Sequence, residues 1–278
     1  MSGKLYLVGT PIGNLGDISP RAAQTMEECD FIAAEDTRVT LKILNHLSIK
    51  KPLVSYYEHN RAESGEKIVE RILSGETCVL VSDAGMPAIS DPGEDLVRLC
   101  AGRGIETVVI PGPCAAVCAM ALSALPSGRF TFEGFLSTAK KSRYEHLEEL
   151  KTEKRTMIFY EAPHKLKSTL DDMAAYFGAD RKISLCRELT KLHEEVLRMT
   201  IGEAVRYFEV TPPRGEFVLV VEGKTVEDAP AVTEEDAARL VLELYNSGTP
   251  LKAAAKEISA KTGIARNALY DMALKMKE

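Results

Sequence analysis

The first decision about the fold comes from Leu5-Tyr6-Leu7-Val8-Gly9-Thr10-Pro11-Ile12-Gly13-Asn14-Leu15-Gly16-Asp17. Its four opening residues predict a short buried strand, and the glycines and the proline that follow predict a tight loop. Such a loop lets backbone N–H groups approach a ligand closely, although a purely structural turn is an equal alternative. The glycines do not have the spacing G-x-G-x-x-G or G-x-x-x-x-G-K-[ST], so no standard dinucleotide or nucleoside triphosphate site is indicated.

Short apolar runs and helical patterns alternate from this loop to residue 125. The predicted strands are Leu5–Val8, Phe31–Ala34, Thr77–Val81 and Thr107–Ile110, and the predicted helices are Ser19–Cys29, Thr37–Leu47, Glu63–Leu73, Asp95–Ala101 and Pro113–Leu125. This alternation predicts a mostly parallel sheet with helices on both faces. We therefore expect an N-terminal α/β domain over residues 1–125.

The pattern changes after Pro126-Ser127-Gly128. Strands are predicted at Arg129–Phe135, Thr156–Tyr160, Lys182–Cys186, Glu195–Met199 and Phe217–Val221, with helices at Lys140–Lys154, Pro163–Tyr176 and Gly202–Phe208. Two of the strands are separated by as little as Glu188–Glu194, which favours antiparallel pairing. Residues 126–223 are therefore predicted to form a second α/β domain with a mixed sheet.

The last part of the chain is predicted to be helical. Residues 224–232 have no periodicity and indicate a linker. Residues 233–278 contain three predicted helices, Thr233–Tyr245, Pro250–Thr262 and Ile264–Met276, with Gly263 as a left-handed cap and an apolar seam of Ala254, Ile258, Leu269 and Leu274. This pattern is typical of a helix-turn-helix unit, and the alternative is a helical cap that packs on the body of the protein.

Composition excludes several classes of protein. The chain has 278 residues, of which 45% are hydrophobic and 27% charged, as in globular proteins and unlike disordered or membrane-spanning ones. The net charge of −6 excludes an overall basic field for indiscriminate nucleic-acid binding. The segment from residue 248 onward, with six Lys/Arg against three Asp/Glu, is nevertheless locally positive.

Cysteine usage and the N-terminus indicate a cytoplasmic protein. The six cysteines form no C-x-x-C pair, and several lie in apolar patterns that are typical of buried, reduced thiols. No metal site is predicted. The first residues contain no apolar core of a signal peptide, and no run is long enough for a transmembrane helix.

Two further loops follow predicted strands. Ser82-Asp83-Ala84-Gly85-Met86-Pro87-Ala88-Ile89-Ser90-Asp91-Pro92-Gly93 follows the most apolar strand and is expected at the carboxyl edge of the sheet, where open α/β sheets bind ligands. Ile110-Pro111-Gly112-Pro113-Cys114-Ala115-Ala116 leads into a helix of small residues that a flat ligand could approach. The alternatives are that Asp83 and Asp91 are helix caps and turn formers, and that the small residues allow tight helix packing.

Together, the three loops resemble those of the tetrapyrrole methylase superfamily. The resemblance continues through Ala34–Arg38, Phe132–Leu136, Tyr160–His164 and Arg187–Glu195, and it covers essentially residues 1–223. The loop Thr10–Asp17 stands where the porphyrin-acting relatives have G-x-G-P-G. This departure favours the branch of the superfamily that methylates ribosomal RNA.

The resemblance implies two α/β domains with S-adenosylmethionine in the crevice between them. It implies 2′-O-methylation of a cytidine ribose in 16S rRNA, with 16S rRNA or the 30S ribosomal subunit as partner, and a homodimer. By homologous position, it assigns the cofactor contacts to Pro11, Asp83, Gly85, Ala88, Ile89, Ser90, Ala115, Ala116, Tyr160 and Gly215.

A ribose hydroxyl is a weak nucleophile, so a nearby base would help the transfer. We place Glu35, Asp36, Arg38, Arg187 and Glu188 around the target nucleotide, because a carboxylate could accept the hydroxyl proton while an arginine binds the adjacent phosphate. The alternative is that Asp36 caps the following helix and pairs with Arg38. His193, a lone histidine near the second cluster, is interpreted as structural or exposed.

Contacts with RNA are expected from local basic residues, namely Lys140, Lys141, Arg143, Lys191 and Arg266, whose alternative interpretation is a solvated surface. Two other functions compete with rRNA methylation. The first is a methyltransferase of the same superfamily that acts on a porphyrinoid. The second is a non-catalytic nucleic-acid-binding regulator built around the helical tail, which leaves the three loops unexplained.

Overall fold

The first sheet is parallel throughout. The computed structural model describes residues 3–224 and 233–277, which belong to two compact units that divide after Lys224. In the first unit, strands β1 (Leu5–Val8), β2 (Phe31–Ala34), β3 (Leu53–Ser55), β4 (Cys78–Val81) and β5 (Thr107–Ile110) are arranged in the order β3-β2-β4-β1-β5. All their pairings are parallel, so the carboxyl ends of these strands lie along one edge.

Both faces of this sheet are covered by helices, as predicted. The helices are α1 (Pro20–Glu28), α2 (Thr37–His46), α3 (Arg61–Leu73), α4 (Gly93–Gly102) and α5 (Ala115–Leu122). Along β4, Cys78 and Leu80 pack with α3 and α4, whereas Val79 and Val81 pack with α1 and α2. This two-sided burial explains why β4 is an uninterrupted apolar run.

Two local differences from the sequence prediction have simple causes. Strand β3 was not predicted, because it has three residues at the edge of the sheet and none of them is fully buried. Helix α5 ends at Leu122 rather than Leu125, where Ser123 donates a hydrogen bond to the carbonyl of Met120 and Ala124 takes a left-handed conformation.

The second sheet is mixed, as predicted. Its strands are β6 (Phe130–Phe135), β7 (Thr156–Glu161), β8 (Lys182–Arg187), β9 (Glu195–Thr200) and β10 (Phe217–Val221), in the order β6-β7-β10-β8-β9. Strands β6 and β7 are parallel, and the other pairs are antiparallel. The last strand in sequence, β10, therefore lies in the middle of the sheet.

Helices α6 (Lys140–Leu150), α7 (Leu166–Phe177) and α8 (Ile201–Val210) pack on one face of this sheet. The other face packs on α5 of the first half, where Ile158, Val218 and Val220 contact small residues of that helix. The two sheets thus share one continuous unit. Helix α6, predicted to run to Lys154, ends at Leu150 and buries Leu147 and Leu150.

The second unit consists of α9 (Glu234–Asn246), α10 (Leu251–Thr262) and α11 (Arg266–Lys277). Gly263 takes the left-handed conformation that the sequence predicts, with φ 73°. Ala273 is buried in the core of this unit, whereas Leu274, predicted in the seam, is 43% exposed. The predicted linker 224–232 lies, apart from Lys224, outside the described residues. None of the described helices is long and apolar enough to span a membrane.

Candidate active site

A cavity of about 510 Å³, called here the main cavity, opens at the carboxyl edge of the first sheet. Loops of the first sheet and strand ends of the second both contribute to its wall. It is lined by Ile12, Glu35, Ser82, Asp83, Ala84, Gly85, Met86, Ile89, Ser90, Asp91, Cys114, Ala115, Phe135, Tyr160, Glu161, Ala162, Pro163, Cys186, Leu189, Glu216, Phe217 and Val218.

The loop after β4 is held rigidly beside this cavity. Thr10 and Gly85 exchange two backbone hydrogen bonds of 2.9 and 3.1 Å. The Asp91 carboxylate accepts hydrogen bonds from the backbone N–H groups of residues 88, 89 and 93. These bonds hold Ala88 and Ser90 in the left-handed region, with φ 67° and 64°. Strained backbone of this kind is frequent at ligand sites, and Asp91 acts as the turn former that the alternative interpretation proposed.

The loops after β1 and β5 meet backbone to backbone. A β-carbon on Gly9 would lie 2.6 Å from the Cα of Gly112 and 2.7 Å from the Sδ of Met86. A β-carbon on Gly112 would lie equally close to Gly9. A residue without a side chain is therefore required at Gly9, because a β-carbon there would prevent the packing of the two loops that border the main cavity.

Two carboxylates lie together where β2 and β4 end. Glu35 follows β2 and Asp83 lies just beyond β4, and these strands are paired. Burial, together with the charges of Asp83 and Asp91, raises the pKa of Glu35. Burial also raises the pKa of Asp83, whose Oδ1 accepts a hydrogen bond of 2.9 Å from the backbone N–H of Asp36. Within the described residues, no lysine or arginine forms an ion pair with Glu35 or Asp83.

Asp36 has a different environment from its neighbour. Its carboxylate accepts a hydrogen bond of 2.8 Å from the backbone N–H of Arg38 and forms an ion pair of 2.6 Å with the same residue's guanidinium. These contacts lower the pKa of Asp36 to about 2. Asp36 and Arg38 are not among the described residues that line the main cavity. Asp36 is thus the cap of α2, as the alternative interpretation states.

An aromatic group forms the wall that the second sheet contributes. The ring of Tyr160 contacts Phe132 and Phe135 edge to face, with centroid distances of 5.0 and 5.5 Å. The Tyr160 hydroxyl accepts a hydrogen bond of 3.2 Å from the backbone N–H of Ala116, in the first turn of α5. Burial raises the pKa of Tyr160 to about 12, so it stays a neutral phenol at physiological pH.

The loop between β8 and β9, residues 188–194, is called here the hairpin loop. Glu188 accepts hydrogen bonds from Lys191 Nζ at 2.9 Å and from the backbone N–H of Glu216 at 3.0 Å, and Lys191 lowers its pKa. Lys191 also pairs with the Glu216 carboxylate at 2.8 Å. Gly215, predicted as a cofactor contact, leaves room for Glu188, because a β-carbon there would lie 2.5 Å from that carboxyl carbon.

Arg187 lines a second cavity of about 350 Å³ rather than the main one. Glu188 is also absent from the described lining of the main cavity. Five residues were predicted around the target nucleotide. Glu35 belongs to the described lining of the main cavity, and Asp36, Arg38, Arg187 and Glu188 do not. His193 contributes its backbone carbonyl, 3.5 Å from a guanidinium nitrogen of Arg187.

Arg143, which was predicted to contact RNA at the surface, is buried. Its side chain is 9% exposed and forms an ion pair of 2.6 Å with Asp172. It also donates a hydrogen bond of 2.9 Å to the hydroxyl of Thr169, which in turn hydrogen-bonds Glu161. A guanidinium buried in this way cannot reach a phosphate. Lys140, Lys141 and Arg266 are exposed, and Lys191 is engaged with two carboxylates.

Six predicted cofactor residues line the main cavity, namely Asp83, Gly85, Ile89, Ser90, Ala115 and Tyr160, whereas Pro11, Ala88, Ala116 and Gly215 are not part of its described lining. Sequence reasoning did not select Met86, Phe135 or Glu216. Met86 and Phe135 lie in stretches that carry the resemblance, and their apolar character could have marked them. Among the described residues, no group of three or more His, Cys, Asp or Glu side chains could hold a metal ion.

Comparisons with known proteins give a consistent result. The family model for Tetrapyrrole (Corrin/Porphyrin) Methylases matches residues 4–205, and the model for the RsmI C-terminal HTH domain matches residues 231–277. Three similar proteins are each named ribosomal RNA small subunit methyltransferase I. The protein of Halalkalibacterium halodurans is 48% identical (97% of this chain, 94% of that protein), that of Bacillus subtilis 45% (97% and 93%) and that of Synechocystis sp. 44% (99% and 99%).

Solved structures share the fold at low sequence identity. Diphthine synthase superimposes with a TM-score of 0.61 at 15% identity, over 81% of this chain and 91% of that chain. Uroporphyrin-III C-methyl transferase from Thermus thermophilus, complexed with S-adenyl homocysteine, gives 0.56 at 15% identity, over 78% and 97%. The chain belongs to the tetrapyrrole methylase family and, within it, to the group of ribosomal RNA small subunit methyltransferase I.

Proposed function

We propose that the protein transfers the methyl group of S-adenosylmethionine to the ribose 2′-hydroxyl of a cytidine in the 16S rRNA of the small ribosomal subunit. The observation that carries this proposal is the main cavity, in which Glu35 has no cationic partner among the described residues and a raised pKa. The choice of an rRNA substrate is supported by the relatives, which are 44–48% identical over nearly the whole chain.

The residues of the main cavity fit the cofactor. Ile12, Met86 and Ile89 offer apolar surface for an adenine ring. The carboxylates of Glu35 and Asp83 favour positively charged groups, such as a sulfonium and an ammonium. Helix α5 begins at Ala115 without a side-chain cap from Cys114, and a helix N-terminus of this kind favours a carboxylate. When bound, the cofactor supplies a methyl group that is already activated for displacement.

Glu35 is the residue to which we assign the base. A carboxylate with a raised pKa accepts a proton more readily than an ordinary one. Asp36 is a weak base because Arg38 holds its pKa near 2. Glu188 is a weaker base because Lys191 and the Glu216 N–H both bind its Oε1 and lower its pKa.

The remaining assignments concern RNA contacts and assembly. We assign the exposed Lys140, Lys141 and Arg266 to phosphate contacts.

We also propose two α/β domains, residues 1–125 and 126–223, since one sheet lies in each range. A cytoplasmic homodimer is proposed as well, and it is supported by the exposed apolar side chains Val109 and Val117 on the edge strand β5 and the following helix.

A labelling experiment tests the proposal. The protein is incubated with methyl-labelled S-adenosylmethionine and, separately, 30S subunits, naked 16S rRNA or a porphyrinogen. We expect label in one of the two RNA substrates, recovered after nuclease digestion as 2′-O-methylcytidine. Label on a base or on the porphyrinogen would contradict the proposal, and no label in any substrate would favour a non-catalytic regulator.

A further inference from the structure

A second cavity of about 350 Å³ lies beside the main one, between the end of β8, helix α8 and the loop before β10. We propose that this second cavity binds a nucleotide next to the one that is methylated, with its phosphate on Arg187 and Arg214 and its base against Tyr207 and Pro212. The inference rests on the proposed function, because it concerns the same RNA strand.

The positive charge of the second cavity comes from Arg187 and Arg214. The Arg187 Nε is buried and makes no hydrogen bond within the described part of the chain, although it lies 3.3 Å from a carboxylate oxygen of Glu195. Its two terminal nitrogens contact backbone carbonyls at 3.5 Å, the outer limit for a hydrogen bond. A guanidinium has five N–H donors, so Arg187 retains capacity for an anion.

Arg214 adds a second guanidinium at the same cavity. Its side chain is exposed, and no carboxylate among residues 3–224 and 233–277 forms an ion pair with it. Glu195 is the acidic residue in the lining, so the two arginines leave a net positive charge. A guanidinium can donate two parallel N–H bonds to a phosphate.

The apolar part of the second cavity suits an unpaired base. Tyr207 is 36% exposed and is fixed edge to face on Phe208, with ring centroids 4.9 Å apart. Single-stranded RNA is recognised largely by stacking of bases on such aromatic rings and on arginine planes. A volume near 350 Å³ is at the lower end of ligand pockets, roughly 300–1,000 Å³, which fits one nucleotide.

The position of the second cavity connects it with methyl transfer. Phe217 lines both cavities and is paired in register with Arg187 across β10 and β8. The two cavities therefore share a buried wall residue at the start of β10. When the ribose of the target nucleotide enters the main cavity, the second cavity would hold the adjacent nucleotide of the same RNA strand.

The test compares Arg214→Ala with Arg206→Ala. Arg206 is exposed, lies on α8 next to Tyr207 and is not in the described lining of the second cavity. Binding of a single-stranded 16S rRNA fragment that spans the labelled cytidine is measured at several salt concentrations. We expect Arg214→Ala to weaken binding about tenfold, the low end for a charged hydrogen bond. The slope of log K against log salt should fall by about 0.7, as for one lost phosphate contact.

Arg206→Ala should leave both quantities unchanged, and Arg214→Lys should recover part of the loss. Binding of S-adenosylhomocysteine should be equal in all variants. A 4-thiouridine placed next to the target cytidine should cross-link to the peptide that contains residues 207–214. If the wild-type protein methylates RNA but Arg214→Ala behaves like Arg206→Ala, or the cross-link lies elsewhere, the inference is overturned and the proposed function stands. If the wild type methylates no RNA, both are overturned.

Discussion

Two clusters of charged residues look alike in sequence and differ in structure. At the end of β2, Glu35 lies near Asp83 without a cation pair among the described residues, and burial raises both pKa values. In the hairpin loop, Glu188 is bound by Lys191 and by the Glu216 N–H, which lower its pKa. Similar residue types thus leave carboxylates without a cation partner at the main cavity in one case and hold a carboxylate against a lysine in the other.

Whether the pKa of a carboxylate is raised or lowered depends on a nearby cation, and not on which of the two sheets the carboxylate lies beside. Asp36 follows Glu35 directly, yet Arg38 lowers its pKa to about 2. Adjacent carboxylates therefore have opposite shifts. This comparison teaches that a catalytic carboxylate should be sought where charge is left unpaired.

The largest expected effect is on catalysis by Glu35. Glu35→Gln keeps the shape of the side chain but cannot accept the hydroxyl proton. The rate of methyl transfer should fall by roughly 10²–10⁴-fold, as for loss of a general base. Single-turnover transfer to the RNA substrate at saturating S-adenosylmethionine measures it, with the circular dichroism spectrum as the control for an intact fold. A rate within threefold of wild type would show that Glu35 is not the base and would contradict the comparison of the two clusters.

Arg143→Met should have the next largest effect, on stability. It removes one member of a buried ion pair and leaves Asp172 and Thr169 without that donor. Unfolding in urea should show a loss of about 3 kcal/mol, the low end for breaking a buried pair, since Asp172 is partly exposed. Lys141→Met, at an exposed side chain 3.8 Å from Glu145, is the matched control and should change little. Equal losses in both variants would contradict a structural role for Arg143.

Gly215→Ala tests the space that Glu188 occupies. The new β-carbon would meet the Glu188 carboxyl at 2.5 Å, and φ is +80°. The free energy of unfolding should fall by about 1–3 kcal/mol from overpacking and backbone strain together. Gly104→Ala separates the two causes, because Gly104 has φ +67° with nothing within 4 Å. It should cost clearly less, and an equal cost would mean that strain alone decides.

Glu188→Gln should have a smaller effect and sharpen the contrast with Glu35. Methyl transfer should stay within threefold of wild type, because the side chain is absent from the described lining of the main cavity. A carboxyl with a lowered pKa stabilises the fold above its unfolded pKa, and this stability is lost as pH falls through the folded pKa. The stability deficit of Glu188→Gln at pH 7 should therefore shrink in acid. A large loss of rate with normal stability would reverse the two assignments.

The smallest expected effect is on the stability of Glu35→Gln. A carboxyl with a raised pKa destabilises the fold as pH rises from its unfolded pKa through its folded pKa. The amide removes this cost, so the variant should melt at a slightly higher temperature than wild type at pH 7. Below about pH 4 the advantage should disappear, because both states of the wild type are then protonated. A lower melting temperature at pH 7 would show that the charge of Glu35 is compensated.

Much of the fold could be predicted because its signals are local. The bounds of β1, β2, β5 and β10 agree with the sequence prediction, since each is a short apolar run bounded by polar or turn residues. The mixed second sheet followed from the short separation of β8 and β9. Strand β3 was missed because it takes its order from pairing with β2 and has no pattern of its own.

The site could be predicted only in part, because pairing of charges is not local. The loops after β1, β4 and β5 could be found, since parallel strands bring their carboxyl ends to one edge. The ion-pair and hydrogen-bond partners of each charged residue could not be predicted in this way. Asp172 is 29 residues from Arg143, and the N–H of Glu216 is 28 residues from Glu188. The sequence indicates which residues are charged, and the tertiary structure decides which of them stay unpaired.

The central place of β10 has a consequence for the order in which the molecule assembles. Until this strand leaves the ribosome, β7 and β8 lack the neighbour that joins them, although both precede it in the chain. Unpaired strand edges of this kind favour aggregation in a nascent chain. The main cavity also takes wall residues from Ile12 to Val218, so it exists only when nearly all of the first unit has been made. Methyl transfer therefore requires a chain that has been synthesised at least as far as Val218.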